Sequence, residues 1–379
     1  MSYIVFKISF RIKILIVITY FIFLQNTLNC NEYYYYNPDI KVGSEAYFNP
    51  ISMSLNGGFD ILRNGAHDKR LTSQHYAIGF KYVMKSLAKP ITTIEDVGWK
   101  TFFEQEFPNF KLQKENLNFM PNFPIHTLGE GMRFVKVSEW YHYHNNPYPK
   151  TLGLLTSITY QLLNETLEQG DLQQRRIDPV ADVHFYNNLG FLMFSFDSVN
   201  RFFSETFVIN DWSLQPMYNP LNDFVENAGE QYMGKLHLKN NYSLFCYWGM
   251  DFLIGTSIKK KNDYSISVGV GQVAHRIETK LIDDVFVPVV STVDYALGIF
   301  YDYNNSLLAN THLSFNKKFL RIKTNIYPGF MEFSGLQPGL FTQITNKDNK
   351  FHDILFGISV NKLPFGLVFG DSKINKEIF

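Results

Sequence analysis

The sequence predicts an α+β protein: an N-terminal helical segment followed by an antiparallel β-meander that forms a β-barrel or barrel-like sheet. Three observations carry this expectation. Before residue 210, apolar residues recur with a helical period, as in Tyr76, Phe80, Val83, Met84 and Leu87. Beyond residue 232 the period becomes two, broken by turn signals such as Lys239-Asn240-Asn241, Lys261-Asn262-Asp263 and Asn346-Lys347-Asp348. Aromatic residues make up 17% of the 379, with Phe 36 and Tyr 23, a content common where rings line a membrane interface. The chain divides into a leader (1–30), a tether (31–48), a helical domain (49–209), a polar loop (210–232) and the sheet (233–379).

The leader places Lys7, Arg11 and Lys13 before an apolar run from Ile14 to Leu24, the pattern of a removed signal peptide. Thr27-Leu28-Asn29-Cys30 resembles a bacterial lipobox, with Leu one place late and Asn before the cysteine. Lipidation of Cys30 would supply an acyl anchor worth about 0.8 kcal/mol per buried methylene. The alternative is ordinary signal-peptide cleavage nearby, with Cys30 incidental. Cys30 and Cys246 make neither a disulfide framework nor a zinc site. With 35 basic and 35 acidic residues and no basic stripe, a nucleic-acid partner has no electrostatic support.

In the helical domain, Asn49-Pro50 opens a helix, and Gly57-Gly58 implies a short helix or a close neighbour. Gln74 to Ala88 is amphipathic and Pro90 follows its end. Thr92 or Thr93 caps the next helix, with Glu95 and Asp96 in its first turn. A helix from His126 to His144 sets His126, Glu130, Arg133 and Val137 on one face, while Gly129 and Gly131 admit another backbone. His142 and His144 lack the i, i+4 spacing of a zinc helix, so neither metal nor cofactor is predicted.

Thr151 to Gln169 is apolar almost all round and therefore buried. It carries a polar stripe of Ser157, Gln161, Asn164 or Glu165, and Glu168. Unpaired buried charge is costly, so Arg133, Arg175 and Arg176 are the candidate partners. Asp178-Pro179 is an N-cap followed by Pro at the first helical position. Asp182 lies one turn in, His184 and Asn188 share a face, and Gly190 marks close contact with another helix.

Glu165, Glu168 with Gln169, Arg175 and Arg176, Asp178, Asp182, and Asn188-Leu189-Gly190 together resemble the Glu–Gln–Arg–Asp–Asn–Gly signature of VanZ-like membrane proteins. His126, Ser157, Glu165 with Glu168, Pro179 with Asp182, and Gly190 are similar to a domain of unknown function found in Gram-negative outer-membrane proteins. The Asp-to-Asn spacing is longer here than in VanZ-like proteins, and long spanning helices are missing. Over residues 124–196, the resemblance implies a membrane-associated helical core with a shared polar site. Two readings of that site follow. In the structural one, Asp178 caps, Asp182 complements a helix start and the glutamates pair with arginines. In the catalytic one, His126, Glu165, Glu168 and Asp182 meet in an apolar site where burial raises a carboxyl pKa. Ser157, Gln161, Arg133 and Asn188 would then bind the ligand.

The sheet reads as strands at 233–239, 242–256, 262–273, 285–303, 305–316, 318–328, 338–345, 351–361 and 364–370. Leu307, Ala309, Thr311, Leu313 and Phe315 alternate with Asn310, His312 and Ser314. Leu320, Ile322, Thr324 and Ile326 alternate with Arg321, Lys323 and Asn325. One apolar and one polar face, with aromatic residues near strand ends, fit a membrane β-barrel, and the terminal Phe379 resembles the last aromatic of such barrels. The expectation is an exported protein of the bacterial cell envelope, associated with the outer membrane. Its role is structural or binding rather than enzymatic, its helices pack on or plug the barrel, and its partner is membrane lipid. The alternatives are an envelope hydrolase or lipid-modifying enzyme using the Glu/Asp/His cluster, and a lipid-binding lipoprotein held by Cys30.

Overall fold

The computed structural model describes residues 33–63, 68–107, 119–282, 285–348 and 350–372. The leader, Cys30 and Phe379 lie outside these residues. The helical part begins with α1 (Gly43–Tyr47) and α2 (Pro50–Gly58). Asn49 caps α2 by accepting from the Ile51 and Ser52 amides at 3.0 and 2.9 Å, and Ser52 Oγ accepts from the Asn49 amide at 3.2 Å, a reciprocal capping box. Next come α3 (Tyr76–Ala88), α4 (Pro90–Val97) and α5 (Trp99–Glu106). Helix α4 starts at Pro90 rather than at Thr92 or Thr93. Proline there is a first-turn residue, and Thr93 instead donates its hydroxyl to the Lys89 carbonyl at 3.0 Å.

The remaining helices are interrupted by π turns. Helix α6 (Phe119–Pro124) runs through Ile125–Gly129 into α7 (Glu130–Tyr143), and α8 follows over Pro149–Gln169. Helix α9 (Asp178–Val180) runs through Ala181–Tyr186 into α10 (Asn187–Met193), and α11 (Asp197–Arg201) leads through Phe202–Thr206 into the sheet. Such one-turn π segments are rare and recur at functional positions. The tether is fastened to this body. The Glu139 carboxylate accepts the consecutive amides of Tyr34, Tyr35 and Tyr36 at 2.8, 3.0 and 2.9 Å, and Tyr35 is buried.

Helices α7 and α10 cross at glycines, as Gly131 and Gly190 implied. A Cβ on Gly131 would stand 2.8 Å from the Gly190 carbonyl oxygen, and one on Gly190 would strike the Thr127 carbonyl. Both obstacles are backbone and cannot rotate away. Gly190→Ala is therefore expected to destabilise the protein by about 1–3 kcal/mol through overpacking, read as a lowered thermal midpoint. An unchanged midpoint would show that the crossing yields without cost.

The sheet contains β1 (Phe207–Asp211), β2 (Met217–Asn219), β3 (Phe224–Glu226), β4 (Gln231–Lys239), β5 (Tyr242–Gly249), β6 (Asp251–Lys259) and β7 (Tyr264–Ile282). It continues with β8 (Val285–Tyr303), β9 (Ser306–Phe315), β10 (Phe319–Ile326), β11 (Pro338–Lys347), β12 (Lys350–Val360) and β13 (Gly366–Ser372). The 13 strands run in the order β1-β4-β5-β6-β7-β8-β9-β10-β11-β12-β13-β2-β3. All neighbours are antiparallel except β13 and β2. The protein is thus α+β, helices first and a large, mostly antiparallel sheet after.

A closed barrel is not formed: β1 stands at one edge of the order and β3 at the other. Residues 210–232, expected as a polar loop, contribute the end of β1, all of β2 and β3, and the start of β4, with β3 as an edge. The N-terminal segment covers the β3 edge, where Arg70 bridges to Phe224 and the Leu71 amide donates to the Asp223 carbonyl at 2.9 Å. Covering an edge in this way blocks pairing with other chains. The strand expected over 242–256 is two, because the chain reverses at Gly249, whose φ is +157°.

Burial on the sheet is inverted relative to a water-soluble sandwich. Among the described side chains of β6 to β13, most outward ones are apolar and exposed, including Ile254 (55%), Val270 (62%), Ile299 (49%) and Ile354 (61%). The inward residues include buried Ser257, Ser267, Asp302, Asn310, His312, Asn325, Gln343 and Asp353. An inner apolar cluster of Trp212, Met233, Phe245, Tyr247, Phe300 and Tyr327 fills the space against β4 and β5. Helices cover the outward face only beside the first strands, where Ile209, Tyr232 and Trp248 pack with Ile125, Met132 and Phe194.

Candidate functional site

The polar stripe of α8 splits between two buried clusters. Its upper half joins Arg133, which is fully buried. The Arg133 guanidinium pairs with Glu230, donates to the Met53 carbonyl at 2.8 Å, and lies 3.4 Å from Glu130 and 3.3 Å from Asp211. Gln161 donates to Glu130 Oε2 at 3.0 Å, and the Tyr160 hydroxyl donates to the same oxygen. Ser157 is buried on the same face. This cluster ties α2, α7, α8, β1 and the start of β4 together, and two of its carboxylates, Glu130 and Glu230, accept hydrogen bonds from the guanidinium.

The lower half enters a second cluster with a different balance. Arg176 Nη2 donates to Glu168 Oε1 at 2.6 Å and to Asp178 Oδ2 at 3.0 Å. Asp178 therefore does not cap its helix; the buried guanidinium takes its carboxylate. Arg175 serves no buried glutamate either, since it pairs with Asp96 near the surface. Oxygens of Glu165, Glu168 and Asp178 lie within 4.8 Å of one another. Glu106, Asp182 and Tyr186 are buried in the same region.

His126 joins this cluster through the π turns. Its Nδ1 lies 3.0 Å from Asn187 Oδ1, and its Nε2 lies 3.5 Å from Asp182 Oδ2. Asn122 donates to Asp182 Oδ1 at 2.8 Å. Asp182 and Asn187 are five residues apart, and a π turn brings i and i+5 to one face; the Asn187 amide donates to the Asp182 carbonyl in that turn. An unbroken α-helix would pair the Asp182 carbonyl with the amide four residues on, that of Tyr186.

Of the candidate catalytic residues, the fold brings His126, Glu165, Glu168 and Asp182 together. Of the candidate binding residues, Ser157, Gln161 and Arg133 belong to the other cluster. Asn188 is in neither. It is partly exposed and donates to the His184 carbonyl at 3.0 Å, because the π turn rotates Asn187 into the interior in its place. The sequence reading missed Asn187, Glu106, Tyr186 and Asn122. The five-residue Asp182–Asn187 spacing was the available signal for the first, and Glu106 at the end of an amphipathic helix gave none.

Electrostatics follow from the burial. Glu165 is raised well above the usual carboxylate range by burial, then by the charges of Asp178 and Glu168. Burial, then Glu168, pushes Asp178 up to about 7. Asp182 is raised by burial, then by Asp178 and Glu165, and Glu106 by burial, then by Asp178. Burial lowers His126. An imidazole that gives its Nδ1–H to Asn187 turns its Nε2 lone pair toward Asp182, 3.5 Å away, and the three clustered carboxylates can hold a cation. A neighbouring cavity of about 790 Å³ is lined by Lys81, Lys85, Lys89 and Arg175. Arg176 is the only one of the cluster's described residues that lines it.

Comparison of the chain with protein-family models, with curated proteins and with solved structures finds no match.

Proposed function

We propose that this is an exported cell-envelope protein of structural or binding role, with the outward face of its sheet in contact with the lipid of an outer membrane. The observation that carries the reading is the burial pattern of β6 to β13: exposed apolar side chains outside, and inside many buried polar and charged ones beside apolar Leu253, Phe300, Phe341 and Leu355. Soluble proteins rarely leave a contiguous apolar surface of this kind bare, whereas membrane barrels alternate apolar-out and polar-in. The stacked Tyr264 and Tyr301 rings, 5.5 Å apart at the strand ends, suit a headgroup boundary. Among the described residues no helix is long and apolar enough to cross a membrane, so any crossing by them belongs to strands. The charged and apolar leader supports export. The N-terminal part lies beside the first strands and also reaches the inner face, where Arg63 pairs with Asp251 at 3.0 Å, which supports helices packed on or plugging the sheet.

The test is fractionation of the full chain expressed in a Gram-negative host. It is expected to sediment with outer membranes, to resist alkaline carbonate and to need detergent for extraction. Recovery as a dispersed protein in the soluble fraction would overturn the reading.

A further inference from the structure

We infer that Glu165, Glu168 and Asp178 form a binding site for one hard divalent cation, of the Mn²⁺ or Ca²⁺ type, inside the helical domain. The inference is independent of the membrane reading. Its first support is geometry. Three carboxylate oxygens within 4.8 Å of one another span no more than about twice a Ca–O distance of 2.3–2.6 Å. They come from two segments, α8 and the start of α9, that a bound ion would clamp together.

Charge is the second support. Glu106, Glu165, Glu168, Asp178 and Asp182 are all close to fully enclosed. Among the described residues, Arg176 is the cation that pairs with Glu168 and Asp178, and it is set among five acids. Buried carboxylates in excess of their counter-charge are strongly disfavoured. The Arg133 cluster shows the contrasting solution, with tyrosine, glutamine and arginine donors on its acids.

The third support is unused bonding capacity. Among the described residues, Glu165 Oε2, Glu106 Oε1 and the Tyr186 hydroxyl are buried with no hydrogen-bond partner. Buried polar atoms are normally satisfied, and an orphan group calls for an ion or another ligand. An all-oxygen donor set selects hard cations over zinc or copper. His126 and Asn122 lie one step out, holding Asp182 rather than the ion.

The experiment uses the full chain, purified in detergent and stripped with EDTA. Mn²⁺ is titrated while its free form is followed by electron paramagnetic resonance. Thermal midpoints are recorded with and without Mn²⁺, Ca²⁺ and Mg²⁺. Saturable binding of one Mn²⁺ per chain is expected, displaced by Ca²⁺, with a raised midpoint. Glu165→Gln is expected to weaken Mn²⁺ at least tenfold. The same variant is expected to melt no lower than the stripped wild type, since it removes like charge without breaking the Arg176 pair. That combination separates a lost ligand from a lost fold. Absence of Mn²⁺ and Ca²⁺ binding by the wild type would overturn the inference, and so would undiminished Mn²⁺ binding by Glu165→Gln.

Discussion

Arg133→Met is expected to abolish stable folding, or to cost at least about 3–5 kcal/mol, the loss typical when one partner of a buried ion pair is removed. The methionine would fill much of the space. It would also leave Glu230, Glu130 and Asp211 around a site with no positive charge and strip a donor from the Met53 carbonyl. The stacking of the guanidinium over Tyr160, 4.9 Å from the ring centroid, would go as well. Denaturant unfolding of the variant gives the number. A double change that also neutralises Glu230 with glutamine should recover part of the loss, because the destabilisation comes from stranded charge. Near-wild-type stability of Arg133→Met would mean that the acids are neutral in the folded protein.

The second large effect concerns the outer face. Ile299 is 49% exposed on β8, opposite Val268 and Thr311. In water, an arginine there should change stability within about 0.5 kcal/mol. In a bilayer it should cost about 2–4 kcal/mol if the position lies near the midplane. Tyr303→Arg, at the end of the same strand, should cost only about 0–1 kcal/mol. Urea titrations of protein folded into phosphatidylcholine vesicles measure both. Equal, small effects at the two positions would remove the lipid contact from consideration.

The sequence made the sheet legible because alternation leaves a two-residue trace that burial then obeys. Asn310, His312 and Ser314 point inward and Phe315 outward, as their pattern implied. Turn asparagines were equally informative: Asn240, Asn262, Asn304 and Asn305 adopt the positive φ that turns require. Strands β2 and β3 were hidden, since three-residue strands are too short to show a period. In the site, His126, Glu165, Glu168 and Asp182 were found because charge within apolar helices is conspicuous. Asn187 was exchanged for Asn188 because helical spacing was assumed where the chain makes a π turn. The pairing of Arg176, and not Arg175, with the acids depends on which of two adjacent side chains faces inward, a choice set by packing alone.

The helices that shield β1, β4 and β5 have a consequence for the membrane around them. On the proposed reading, lipid meets bare strands along most of the perimeter and a helical flank along the rest. That flank carries exposed Leu189, Leu192, Phe196 and Phe202, next to Phe203 and Phe207, which pack onto β1 and β4. The apolar surface would thus continue from sheet to helix, with the exposed Asp197–Arg201 pair set among its rings. The molecule would have a front and a back in the plane of the bilayer, and neighbours approaching from the two sides would meet surfaces of different shape.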